Sequence, residues 1–83
     1  MSLHDSDPVF PAWIDVGTGA TVRWTNYGSA PQILRSGTPE RPRPFFTAWI
    51  PPDASFSYTF TRTGTFEFFL QAHPEVQGKV TIR

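Results

Sequence analysis

Apolar and polar residues alternate along most of this chain with a period of two, the repeat of a strand that buries one face. Ile14 and Val16 alternate with Trp13 and Asp15, and Gly17-Thr18-Gly19 then supplies a turn. Val22 and Trp24 alternate with Thr21, Arg23 and Thr25 until Asn26-Tyr27-Gly28 breaks the run. The cleanest pattern is Phe56, Tyr58 and Phe60 set among Ser55, Ser57, Thr59 and Thr61. After Thr63-Gly64, Phe66, Phe68 and Leu70 share one face opposite Thr65, Glu67 and Phe69, and Val80 and Ile82 alternate with Lys79 and Thr81. Ile33-Leu34 and Phe45 to Ile50 add shorter strands, the second ended by Pro51-Pro52-Asp53. Ser36 to Pro44 (SGTPERPRP) reads as an exposed, extended loop. Pro and Gly recur too often for a helix of ordinary length. The pattern predicts an all-β fold, a two-sheet Greek-key β-sandwich of about seven or eight short strands.

The chain is 83 residues long, enough for one domain. Residues 9–83 are assigned to it, and residues 1–8 are expected to form an N-terminal tail, in part vector-derived. A domain this short has little core to spare, but eight Phe, three Trp and two Tyr enrich it. The chain has no Cys, which removes disulfides and thiolate metal ligands together. Seven basic and seven acidic residues cancel, so neither nucleic acid nor a membrane surface is an expected partner. No apolar run approaches the roughly 20 residues of a membrane helix, and no signal peptide is read.

The order of motifs resembles the cupredoxin (blue-copper) family, most closely its amicyanin-like and plastocyanin-like members. Pro11-x-x-Ile14-x-Val16-x-x-Gly19-x-x-Val22-x-Trp24-x-Asn26 is similar to the opening of those proteins. Phe56-x-Tyr58-x-Phe60-x-x-x-Gly64-Thr65-Phe66-x-Phe68 is similar to the hairpin that leads to their ligand loop. Leu70-x-x-His73-Pro74-x-Val76-x-Gly78-x-Val80 resembles the loop itself, Cys-x-x-His-Pro-x-Met-x-Gly-x-Val, and Pro31-Gln32 stands where the family has Pro-His. The resemblance spans residues 9–83 and implies a cupredoxin-like sandwich from the periplasm or the cell exterior.

It also implies four copper-ligand positions: Gln32, Leu70, His73 and Val76. A blue site needs two imidazoles and a thiolate with a weak axial donor. Only His73 can ligate strongly, so no metal and no copper cofactor is expected. Leu70 and Val76 are expected to fill the space with apolar groups instead. By the same resemblance Ala30, Pro31, Pro51, Pro52, Ala72, His73, Pro74 and Val76 gather at one end as a docking surface for a protein partner. The function expected is a non-catalytic binding or structural module, as a monomer or as part of a larger protein.

Two alternatives stand beside it. One is a copper electron carrier of the same family with an atypical site. The other is a carbohydrate-binding or structural module of a larger secreted protein, with Trp13, Trp49 and Tyr27 as a stacking platform. Two His and no nucleophile in a triad setting exclude a hydrolytic site, so no enzyme is expected. Ser2-Leu3-His4 would form an amino-terminal Cu(II) or Ni(II) chelate once Met1 is removed, and is read as an accident of sequence. Arg35, Arg41 and Arg43 among Pro39, Pro42 and Pro44 could dock a partner, but are read as a solvated loop.

Overall fold

A computed structural model describes residues 1–5 and 7–83. The described residues form nine strands: β1 (Ser2–His4), β2 (Asp7–Phe10), β3 (Trp13–Val16), β4 (Thr21–Asn26), β5 (Gln32–Gly37), β6 (Pro42–Ile50), β7 (Ser55–Thr59), β8 (Gly64–Leu70) and β9 (Gln77–Ile82). They build a four-stranded sheet, β2-β1-β4-β7, and a five-stranded sheet, β3-β9-β8-β5-β6. Both sheets are mixed, because β1 runs parallel to β4 and β3 runs parallel to β9. Every strand read from alternation is present, and β1 and β2 raise the count above seven or eight.

Those two strands lie largely in the segment read as a tail. The packed structure begins earlier, because Leu3 is fully buried and Ser2 pairs with both Phe10 and Thr25. A three-residue strand is too short to show a period, and its pairing with β4 joins distant parts of the chain. The chelate suggested by Ser2-Leu3-His4 would have to unmake β1, which is flanked on both sides.

The alternation places one apolar row from each sheet between the layers. Trp24 is wholly buried at the centre, its ring 5.3 Å from Phe46, 5.4 Å from Phe68 and 5.9 Å from Phe56. Phe46 touches Phe60 at 6.3 Å, Phe60 touches Phe66 at 5.1 Å, and Phe66 meets Phe45 at 5.1 Å. A file of aromatic rings therefore runs from the core to one end of the sandwich. Such offset and edge-to-face pairs add to the burial each ring already contributes.

Gly78 sits where this packing is tightest. A Cβ there would lie 2.7 Å from the Ala12 carbonyl oxygen and closer still to the Phe68 ring, so no side chain fits. Ser36 to Pro44 departs from the extended loop expected. Ser36 and Gly37 finish β5, Pro42 to Pro44 open β6, and Ser36 is fully buried.

Candidate functional site

The four positions that the resemblance marks as ligands, Gln32, Leu70, His73 and Val76, lie at one end of the sandwich. Gln32 opens β5 and Leu70 closes β8, and these strands pair through Leu34 and Leu70. The turn after β8 is closed by backbone bonds: His73 N donates to Leu70 O (3.2 Å), Val76 N to His73 O (2.9 Å) and Leu70 N to Val76 O (3.1 Å). Gln71 N donates to Ile33 O (2.9 Å), which locks the turn to β5.

Asn26 holds the neighbouring loops against it. Its position on β4 continues the inward row of Val22 and Trp24, and it is fully buried. Its amide donates to Ala30 O and Ile50 O (2.9 Å each), and its Oδ1 accepts from Gly28 N (2.8 Å). One side chain thus ties the segment before Pro31 to the segment before Pro51. From the sequence Asn26 is a strand break and the last position of the Pro11-to-Asn26 motif, with no tying role; a polar residue on an inward alternation is the signal for one.

The loop before Pro31 has a second clamp. Asp5 accepts from Ser29 N (3.1 Å) and Ala30 N (3.3 Å), and the Ser29 hydroxyl donates to it (3.2 Å). The Ser29 backbone bond leads in holding the Asp5 carboxyl below its ordinary range, with help from Ala30, the Ser29 hydroxyl and the nearby His73 charge.

The side chains at the four positions do not fit a type 1 copper. Leu70 and Val76 are buried members of the hydrophobic core and carry no donor. Gln32 is 1% exposed, and its Oε1 has no hydrogen-bond partner among the described residues. His73 alone offers an imidazole; its side chain is 35% exposed, with Nδ1 3.5 Å from Glu75 Oε1. Among the described residues no group of three or more His, Cys, Asp or Glu could hold a metal ion.

Around His73 the expected rim is only partly at the surface. Ala30, Pro31, Pro52, Ala72 and Pro74 are exposed and Pro51 is half-buried. Val76 does not belong to the rim: it is 3% exposed and lies in the core, in keeping with the apolar filling expected there, because the turn folds it inward.

Solved structures share this architecture. A purple cupredoxin from Nitrosopumilus maritimus superimposes with a TM-score of 0.83 at 25% identity, covering 89% of this chain and 80% of that one. The fold is that of a cupredoxin. An oxidised amicyanin mutant gives a TM-score of 0.83 at 22% identity over 99% of this chain and 78% of its own. A Cu(I) form of another amicyanin mutant gives 0.74 at 26% identity over 87% and 70%. No family model and no curated protein matches the chain.

Trp13, Trp49 and Tyr27 are all exposed but are not brought together. Trp13 and Trp49 lie on β3 and β6, opposite edges of the five-stranded sheet and four spacings of about 4.8 Å apart. Trp13 Nε1 donates to Thr81 Oγ1 (3.1 Å), and Lys79 Nζ sits 5.2 Å from the Trp13 ring. Tyr27 follows β4 of the other sheet and stacks on His4 at 5.6 Å. No helix among the described residues is long and apolar enough to cross a membrane.

Proposed function

We propose that this domain is a cupredoxin-fold binding module that has exchanged copper chemistry for protein docking, acting outside the cytoplasm and without catalysing a reaction. The observation that carries this reading is the composition of the site end. Three of the four positions the resemblance marks as ligands hold buried Leu70, Val76 and Gln32, while Ala30, Pro31, Pro52, Ala72 and Pro74 are exposed and His73 is half-buried. Leu70 and Val76 contribute about 1.5–3 kcal/mol of burial each where a sulfur and a metal would otherwise sit. The rim then offers apolar contacts beside the polar His73–Glu75 pair, a composition suited to a protein interface.

The test begins with Cu(II) and Cu(I) titrations followed by visible absorption and thermal melting, alongside a His4→Ala control. The parent should show neither an intense visible band nor a stabilisation that needs His73. The triple variant Gln32→His, Leu70→Cys, Val76→Met should bind Cu(II) with an intense thiolate band, because it restores the donor set on the same positions. A saturable one-to-one site in the parent that depends on His73 would defeat the reading. For docking, His73→Ser with Pro74→Ser should reduce partner capture while the domain stays folded; unchanged capture would remove the His73 end from the interface.

A further inference from the structure

The end of the sandwich away from His73 carries a second site that the docking reading does not use. Its frame is the β5–β6 hairpin. The buried Ser36 hydroxyl accepts from Phe45 N (3.1 Å) and Phe46 N (3.0 Å), with the carbonyls of Arg43 and Phe46 available to its proton. Across the turn, Thr38 N donates to Arg41 O (3.2 Å), and Arg41 N returns to Thr38 O (3.0 Å) and Thr38 Oγ1 (3.1 Å). Gly37 has φ +94°, and a Cβ there would lie 2.5 Å from both Arg41 O and Arg43 N. The backbone that carries Arg41 and Arg43 is therefore fixed on both flanks.

These two arginines line a cleft of about 320 Å³ whose apolar wall is Phe45 and Phe66. The two rings meet edge to face, and Phe45 remains 43% exposed. Arg62 borders adjoining clefts that share the same two rings. Three guanidinium-bearing residues thus surround one exposed phenyl ring. Glu67 lines the first cleft as well, yet among the described residues the ion pairs are His73–Glu75 and Arg83–Asp15, so all three arginines stand without a carboxylate within 4.0 Å. The chain as a whole has no net charge, so the positive cluster is a local feature.

Guanidinium groups recognise planar or tetrahedral anions through paired N–H donors, and an exposed ring edge accepts a second ring. The volume lies near the lower end of small-molecule pockets, which run about 300–1,000 Å³. We propose that the Arg41–Arg43–Phe45 cleft binds a small ligand in which a phosphate or carboxylate is attached to a planar ring. The anion is held by Arg41 and Arg43 and the ring lies against Phe45 and Phe66, with Arg62 beyond the two rings in the adjoining clefts. This site is independent of the His73 end.

The experiment titrates phenyl phosphate into the full ¹⁵N-labelled chain and follows amide shifts. Saturable one-to-one shifts confined to residues 37–46 and 62–67 are expected, with phenol and inorganic phosphate each about tenfold weaker or more. Benzoate in a parallel titration distinguishes a carboxylate ligand from a phosphate one. Arg41→Gln with Arg43→Gln should weaken binding by about tenfold or more, with melting unchanged because both side chains are exposed. Phe45→Ser should lower the preference for phenyl phosphate over inorganic phosphate. Shifts that do not saturate, equal binding of inorganic phosphate, or full affinity in the double arginine variant would overturn the proposal.

Discussion

Replacing Gln32 by Met tests how completely the His73 end of the sandwich is filled. The two side chains are similar in length, and Met adapts readily to an irregular apolar space. Gln32 is 1% exposed, and its Oε1 is buried without a partner among the described residues. An acceptor stranded in this way costs about 1–3 kcal/mol. Removing it while keeping the volume should therefore stabilise the domain by about that amount. For a domain of this size each kcal/mol moves Tm by about 4–8 °C. Urea unfolding should show a higher midpoint at an unchanged slope, since the surface exposed on unfolding is nearly the same. A variant less stable by about 1 kcal/mol or more would refute the reasoning. It would mean that Oε1 accepts a hydrogen bond in solution, as from an enclosed water, and that the end is a wet polar cavity.

Three further outcomes are expected. Asn26→Ala should cost roughly 2–4 kcal/mol, because it strands Ala30 O, Ile50 O and Gly28 N; a urea midpoint within error of the parent would contradict its role as the tie between loops. Gly78→Ala should destabilise by about 1–3 kcal/mol through overpacking against Phe68 and Ala12, measured by thermal melting against Gly17→Ala, where nothing lies within 4 Å of the added Cβ. Asp5 has a folded pKa below its unfolded value, so its contribution is present above about pH 4 and is lost as pH falls through the lower folded value. Asp5→Asn should therefore bring the stabilities of variant and parent together in acid; an equal gap at pH 7 and pH 2 would refute the linkage.

The interior rows were legible because alternation reports a face directly. Trp24, Phe68 and Leu70 fall inside as their parity requires. Phe69 shows the limit of parity. It lies opposite Leu70, yet is 4% exposed because neighbours such as Arg35, 6.0 Å from the ring centroid, cover it on the outer face. The resemblance in motif spacing supplied positions 32, 70, 73 and 76 as an expectation, and the lack of Cys in the sequence removed a thiolate from it. Val76 was expected both as apolar filling and as part of the rim; the backbone bonds of the turn send it inward, so only the first holds. Neither β1 nor the Ser36 clamp left a local signal, since one depends on a distant parallel partner and the other on a single buried hydroxyl.

The position of β9 has a consequence for how the chain reaches this state. It lies between β3 and β8, and pairs Trp13 with Lys79 and Val16 with Ile82. Joining residues so far apart carries a large loop-closure cost and places the fold among slow, high-contact-order topologies. During synthesis β3 and β8 have no partner between them until residues 77–82 emerge. Their open edges are then templates for association with other chains. A chain cut before Gln77 should accumulate as aggregate, whereas the intact chain buries both edges when its last strand inserts.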